Sequence, residues 1–494
     1  MLDALLAASP LVVAVAALLV LRRSALVAGA WGCGCALLVA ALWPSFALPA
    51  DGLVLAAARG LLVTLLVAYV VFFGLLLYQL MARGQAIASL AHILATLGGD
   101  RAARTLVLCL PLGAFFEGAS GFGVGIVIVA PLLLALGYSP ARAALLALLT
   151  QNAVPWGALA VGTLLGAELA GLAPDGLGVG CAYLSLLLFP YFGALALLLG
   201  GGPKALRAHS LLLGLASVLM ALAAWGGTRL LGVELAMVVG GAATAAVLLA
   251  VLRRREVATP AETASALSWT RAVAPYLALV AGLLLSRLVD PLRAWLLTHA
   301  VLSVPPAGFT LPLLYSPGFW LALACAVAVV ALRLDRATVG EELGHAARRW
   351  WPATLALAAF LVLAEVMLRA GMTEHLAAST AALLGTAYVL AAPAVGGLAG
   401  FLTGSNSAGN AMLMGFQIQM AERLGIAPLV LAAAQNTASA DLSLASPQRV
   451  VLAAAVVGLS GHEGALIRRA LPIGLGVVVL ITVAELAWLA LLGR

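Results

Sequence analysis

The chain has 494 residues, a formal net charge of +7, 64% hydrophobic residues and only 9% charged ones. A soluble domain carries roughly 25% charged residues, so this chain lacks the polar surface of a water-soluble globule. Its basic excess is nearly all Arg, with Lys204 the only lysine, and sits in short loops. That placement fits membrane orientation, not nucleic-acid binding.

Apolar runs of about 20 residues recur, the length that spans a bilayer as helix. They are continuous and rich in Leu and Ala, which indicates helices and not an alternating barrel. Residues 1–22 lack a basic start and read as a first membrane helix, not a cleavable signal. Helices are expected at 5–22, 25–43 and 58–82, then an amphipathic stretch from Gly84 to Gly98. Two short apolar legs, 104–116 and 124–136, flank a glycine-rich break. The segment 141–168 is interrupted by Gln151-Asn152-Ala153-Val154-Pro155-Trp156-Gly157, and 177–200 follows. An extra pair, 209–226 and 230–252, leads to a polar loop from Arg253 to Thr270. Helices at 272–297, 316–333 and 350–370 restart the pattern. An amphipathic stretch 374–390, legs at 393–402 and 411–422, a segment 428–459 interrupted from Gln435 to Gln448, and a helix at 470–492 complete it. The five cysteines (Cys33, Cys35, Cys109, Cys181, Cys325) lie in apolar runs without metal spacing, so neither metal nor cofactor is expected.

The fold class is therefore an all-α polytopic membrane protein with about 12 transmembrane helices and two re-entrant hairpins. Its expected parts are a first repeat (1–200, hairpin about 104–136, interrupted helix 141–168), a linking pair and cytoplasmic loop (201–271), and a second repeat (272–494, hairpin about 393–422, interrupted helix 428–459). Loops at Arg22-Arg23, Arg83 with Arg101 and Arg104, Lys204 with Arg207, Arg253 to Arg255, Arg333 with Arg336, Arg348-Arg349 and Arg468-Arg469 are assigned inside. Loops near 44–51, 169–176 and 298–315 carry no Lys or Arg and are assigned outside. Both termini then fall outside and the two repeats are antiparallel. Paired interrupted segments in inverted repeats mark the substrate site of secondary transporters.

The first break is Gly113-Ala114-Phe115-Phe116-Glu117-Gly118-Ala119-Ser120-Gly121-Phe122-Gly123. The second is Gly400-Phe401-Leu402-Thr403-Gly404-Ser405-Asn406-Ser407-Ala408-Gly409-Asn410. A helix interrupted at membrane depth leaves backbone groups unpaired, each costing several kcal/mol in lipid, unless the backbone lines a cavity or binds something. Half-helix N-termini suit an anionic group, and Ser120, Ser405, Asn406, Ser407 and Asn410 add donors and acceptors. Each break is followed by a Gln-Asn pair, Gln151-Asn152 and Gln435-Asn436. The bland alternative is packing glycines in crowded helices, against which two matched breaks weigh. A pocket for a small hydroxylated carboxylate results. Glu117 is the first candidate proton carrier, its alternative being a carboxylate satisfied by nearby backbone N–H groups. Asp441 is the second, its alternative a hydrogen bond to Ser443 or Ser446 that holds the loop.

Other charges are read as structural. Glu365 and Arg369 pair on one helix, Glu234 neighbours Arg229, Glu485 is interfacial, and His92 and His375 are surface residues. Arg449 could neutralise a substrate carboxylate but is assigned as a cytoplasm-side anchor.

The two break motifs, with Ser446-Pro447-Gln448 and Ala455-Val456-Val457-Gly458-Leu459-Ser460-Gly461 followed by Glu463, resemble the lactate permease family, which includes bacterial L-lactate and glycolate permeases. The resemblance covers about 105–165 and 396–470. It implies proton-coupled uptake of 2-hydroxymonocarboxylates across the bacterial inner membrane. It also implies kinship with the ion-transporter superfamily, in which a transport domain moves against a scaffold as an elevator. Carried over by motif, the site comprises Glu117, Gly118, Ser120, Gly121, Gln151, Asn152, Gly404, Ser405, Asn406, Asn410 and Ser446, to which the repeat adds Gln435 and Asn436. Departures are Ala438-Ser439 where a glycine pair is expected, Gly125 where proline is expected, Asp441 itself, and a shorter chain. The partners implied are a small carboxylate, a proton or a sodium ion in its place, lipid, and a second copy as homodimer. The alternatives are a sodium-coupled di- or tricarboxylate carrier and an intramembrane enzyme using Glu117 and Asp441. The enzyme is disfavoured by the lack of a His-Glu-x-x-His motif.

Overall fold

A computed structural model describes residues 2–87, 89, 99–121, 123–253 and 269–492. The amphipathic stretch expected at Gly84–Gly98, with His92, falls mostly outside these residues, as does most of the polar loop after Arg253. Among the described residues, nine helices are long and apolar enough to cross a membrane, and eleven if two bent pairs each count as one span. Twelve were expected.

The order begins with α1 (Leu2–Leu19), α2 (Ala25–Leu42) and α3 (Ala50–Arg83). Next come α4 (Arg101–Ser120) and α5 (Val124–Ala135), the first hairpin. Asp100 starts α4 by accepting a bond from the Ala103 N–H at 2.9 Å, which satisfies one of the free donors of the first turn. The chain turns at Gly121 (φ 63°) and Gly123 (φ 81°), a conformation that side chains with a Cβ rarely adopt. Then follow α6 (Pro140–Leu148), a break through 152–156, α7 (Gly157–Ala170), and the bent pair α8 (Pro174–Ser185) and α9 (Leu188–Ala208). The linking pair is α10 (Ser210–Leu231) and α11 (Ala236–Arg253).

The expected helix 272–297 is two helices, α12 (Trp269–Leu288) and α13 (Asp290–Thr298), parted at the extended Val289. The loop expected at 298–315 contains a hairpin, β1 (Val301–Val304) against β2 (Phe309–Pro312), antiparallel with Val301 opposite Pro312. Arg59 ties it to α3 by donating to the Ala307 and Gly308 carbonyls at 2.7 and 3.0 Å. α14 is Pro317–Ala331 and α15 is Arg336–Arg369. The helix expected at 350–370 thus starts fourteen residues earlier, so Arg348 and Arg349 lie within it and not in a loop. Asp335 caps α15 by accepting from the Thr338 N–H at 2.7 Å. Its 34 residues rise about 50 Å, more than the roughly 30 Å of hydrocarbon. The remaining helices are α16 (Met372–Leu384), α17 (Ala392–Thr403), α18 (Asn406–Leu424), α19 (Pro428–Leu442), α20 (Pro447–Val456) and α21 (Glu463–Leu492). The second hairpin, α17–α18, turns at Gly404 (φ 64°) and Ser405. His375 is half-buried and meets the Phe46 ring edge-on.

Besides a small apolar cluster around Tyr388, Met420 and Leu431, two large apolar cores result. One packs α4 to α11 against α19 to α21, with Leu106, Phe116, Trp156, Phe189 and Ala453 at its centre. The other packs α1 to α3 against α12, α14 and α15, with Val63, Leu77, Leu283, Leu321 and Phe360. α7 belongs to both, through Ala160 and Ala167 in the first and Val161 and Leu165 in the second. α3 and α15 approach closely at Gly60, where a Cβ would lie 2.7 Å from the Val362 backbone nitrogen. Helix association in lipid relies on such contacts. Gly60→Val should therefore force α3 and α15 apart, costing about 1–3 kcal/mol. It should lower the thermal midpoint in detergent, and an unchanged midpoint would contradict this packing.

Candidate functional site

The two breaks face each other across a cavity of about 190 Å³. Glu117, Gly121, Gly404, Ser405 and Asn406 line it, together with Gly157, Gln448 and Arg449. The N-terminal ends of α5 and α18 start at these breaks. The volume is below the roughly 300–1,000 Å³ of drug-sized pockets and suits a molecule of a few heavy atoms.

Glu117 sits on the last turn of α4 and is 1% exposed. Its Oε2 accepts from the Gly123 N–H at 3.2 Å and from Gln151 Nε2 at 3.1 Å. Its Oε1 accepts from Arg449 Nη1 at 3.4 Å. One carboxylate thus joins its own break, the first interrupted helix and α20. Arg449 is not the free anchor expected of it: it is 8% exposed and ion-paired with Glu117. Its position follows from the second interrupted helix. Ser446 caps α20 by accepting from the Arg449 N–H at 3.3 Å, and Pro447 occupies the first helical position, which needs no donor.

Behind the cavity, Asn436 holds the second hairpin in place. Its Oδ1 accepts from Asn406 Nδ2 at 2.9 Å and from Asn410 Nδ2 at 2.6 Å. Its Nδ2 donates to Thr163 Oγ1 at 2.8 Å and to Cys181 Sγ at 3.1 Å. Asn410 also donates to the Gly162 carbonyl at 3.0 Å. Gln435 donates to the Gly409 carbonyl at 3.3 Å and accepts from Gln417 Nε2 at 3.2 Å. Asn152 donates to the Cys109 and Leu149 carbonyls at 2.9 and 2.8 Å, which pairs acceptors that the break would strand.

Among the residues named from sequence for the two breaks, then, Glu117, Gly121, Gly404, Ser405, Asn406 and Ser407 reach the cavity. Gln151, Asn152, Asn410, Gln435, Asn436 and Ser446 stand behind it as supports. Gly118 packs against Val238, and Ser120 Oγ lies 3.4 Å from Tyr276 OH. The second interruption is confined to Ser443–Ser446, so Gln435 and Asn436 lie inside α19 and not in a break. Gln151 and Asn152, by contrast, stand at theirs. The likeness of the two pairs is one of sequence and not of position.

Asp441 is fully buried, and both its carboxylate oxygens lack a hydrogen-bond partner among the described residues. Ser443 Oγ donates instead to the Ala440 carbonyl, and Ser446 Oγ serves Arg449. Asp441 is therefore not a loop clasp. Glu485, expected at the interface, is fully buried with both oxygens unpartnered among the described residues. Glu234 pairs with Arg287 at 2.8 Å and not with Arg229, which lies over the Trp225 ring. Glu365 does meet Arg369, at 3.4 Å, and also Arg59 at 3.0 Å, which reaches Glu168 as well. Two larger cavities, of about 270 and 530 Å³, border these ion pairs away from the breaks. No group of three or more His, Cys, Asp or Glu among the described residues is placed to hold a metal ion.

The family model of L-lactate permease matches residues 3–304 and 296–492. The chain is 25% identical to the L-lactate permease of Escherichia coli K12 over 513 residues, covering 94% of this chain and 92% of that one. It is 26% identical to the glycolate permease GlcA of Escherichia coli K12 over 524 residues, covering 94% and 92%. It is 25% identical to the L-lactate permease of Bacillus subtilis over 532 residues, covering 95% and 92%. Among solved structures, the Alcanivorax borkumensis YdaH transporter superposes with a TM-score of 0.51 at 19% identity, covering 90% of both chains. That likeness concerns the fold alone.

Asn436→Ala should leave the buried amides of Asn406 and Asn410 short of an acceptor, at about 1–3 kcal/mol for each stranded group. The thermal midpoint in detergent should fall clearly. A midpoint equal to wild type would show that Asn436 does not hold the hairpin.

Proposed function

The chain belongs to the L-lactate permease family, and from that premise we propose that it imports 2-hydroxymonocarboxylates such as L-lactate and glycolate by proton symport. The observation that carries this reading is the small cavity where the two breaks meet, which places an acidic and a basic side chain beside two half-helix N-termini. Such ends hold an anionic group through free N–H donors and the helix dipole. Asn406 and Ser405 offer further polar contacts for a hydroxyl. Glu117, in the cavity, and Asp441, buried without a hydrogen-bond partner among the described residues, are the carriers proposed for the proton.

The protein lies in the bacterial inner membrane, with both termini outside and the halves 1–200 and 272–494 as inverted repeats. The two apolar cores support a division into a moving body that bears the breaks and a scaffold of α1 to α3 with α12, α14 and α15. The cavity at their boundary supports an elevator motion of one against the other.

Purified protein in liposomes should show counterflow of labelled L-lactate or glycolate, and accumulation when an inward proton gradient is imposed. No counterflow with any short 2-hydroxymonocarboxylate would sink the substrate assignment. Accumulation that follows a sodium gradient instead would replace the proton. Glu117→Gln and Asp441→Asn, tested separately, should each abolish gradient-driven accumulation if that residue carries the proton. Undiminished accumulation removes that residue from the role. For orientation, a cysteine at Ser303 in a background lacking the five native ones should react with an impermeant maleimide from outside, and one at Gly340 should not.

A further inference from the structure

Arg449 is buried, and among the described residues its guanidinium has a single hydrogen-bond partner. That contact, to Glu117 Oε1, is 3.4 Å long, well beyond the roughly 2.7–2.9 Å of a strong charge-assisted bond. A guanidinium has five N–H donors. Among the described residues, no other hydrogen bond takes one of those on Arg449, and its side chain lines the cavity. The donors left over are of the kind that grips a planar carboxylate with two parallel bonds.

Glu117 completes the arrangement. The polar groups that reach its carboxylate are the Gly123 N–H, Gln151 and Arg449. The elements packed around it are otherwise apolar or neutral there. Gly157 of α7 faces its Cγ, and the neighbouring Gly118 meets Val238 of α11. Tyr276 of α12 reaches Ser120 and not Glu117. Ser405 and Asn406 border the same cavity from the second hairpin. Arg449 is thus the one cation touching Glu117 among the described residues.

Resting on the transport reading, we propose that Arg449 docks the substrate's carboxylate and is shared with Glu117. In the empty site Glu117 holds it. In the loaded site the substrate carboxylate takes it over while Glu117 accepts a proton from solution. The charges balance in both states. Empty, the site has one guanidinium and one carboxylate; loaded, it has one guanidinium, the substrate carboxylate and a neutral carboxylic acid. Both are neutral. Substrate without the proton would leave one net negative charge, and the proton without substrate would leave one net positive charge. An unpaired buried charge is costly, and more so within a membrane. Only the two neutral states are therefore suited to cross, which ties one proton to each monocarboxylate.

Binding to the full-length protein in detergent, measured by calorimetry, tests this with L-lactate and its neutral amide, lactamide. In wild type, lactate binding should weaken by up to about tenfold per pH unit on the alkaline side, because binding takes up a proton. Lactamide binding should not follow pH in this way. Glu117→Gln should flatten the lactate profile and tighten binding at alkaline pH. Arg449→Gln should weaken lactate by about 100-fold while moving lactamide less than about threefold, and Arg449→Lys should restore part of the loss. Lactate affinity within about threefold of wild type in Arg449→Gln would overturn the proposal. So would a pH slope that persists in Glu117→Gln, which decides the matter alone if Arg449→Gln does not fold. Acetate, pyruvate and succinate serve as further probes. If one of these shows the same two dependences and lactate does not bind, the substrate assignment fails and the shared arginine stands. If no carboxylate binds, the proposal falls.

Discussion

A helix broken inside a membrane exposes backbone groups that lipid cannot satisfy. Several polar side chains at and behind the cavity take up backbone groups. Asn152 takes up the Cys109 and Leu149 carbonyls. Gln435 binds the Gly409 carbonyl, and Asn410 binds that of Gly162. Ser405 and Ser446 cap the half-helices that restart after the second hairpin turn and the second interruption. Because these groups are taken by the backbone, few polar groups are left facing the cavity, and Glu117 and Arg449 stand out among them.

The two cores give the breaks their setting. α3 and α15, each of 34 residues, pack through the glycine contact at Gly60 into a long rigid pair. α7 and α18, the helices that restart after breaks, lie between that pair and the other core: Val161, Leu165, Ala408 and Ala411 face one side, Ala160, Ala167 and Met414 the other. Ion pairs cross the same boundary away from the cavity, with Arg59 and Arg287 from the α3 and α12 side meeting Glu168 and Glu234. The partly exposed Arg59–Glu168 pair contributes little, about 0–1 kcal/mol, whereas the Arg287–Glu234 pair is largely buried. The apolar packing within each core resists change.

Much of this was legible in the sequence because glycine, proline and polar residues inside apolar runs have few uses there. The two hairpins and the first interruption fall where Gly121, Gly404 and Asn152-Ala153 predict them. What the sequence could not separate was the side chain facing the cavity from the one behind it. Gln435 and Asn436 resemble Gln151 and Asn152 as letters, yet one pair is inside a helix and the other at its end, a distinction of about two turns. The β-hairpin at 301–312 was hidden because a short, locally paired ribbon has no long period to detect. Arg449 was misassigned because a lone Arg near a helix end usually reaches an interface. The signal against that lay in its place three residues after Ser446. An N-cap and Pro447 start a helix there, so Arg449 falls on its first turn beside the break.

The misassigned arginine changes what Glu117 means. An isolated carboxylate at membrane depth would be expected to stay neutral and to load a proton by itself. Glu117 instead has a guanidinium on one oxygen and an amide and a backbone N–H on the other. In the proposed exchange, another anion competes with it for the same arginine. Under the proposed exchange, proton loading depends on substrate arrival, and coupling would require no sensor beyond the pair itself. Asp441 stands apart from this exchange, buried and without a hydrogen-bond partner among the described residues. An acid so placed carries no opposing charge to release, and its contribution to coupling would have to come from protonation alone.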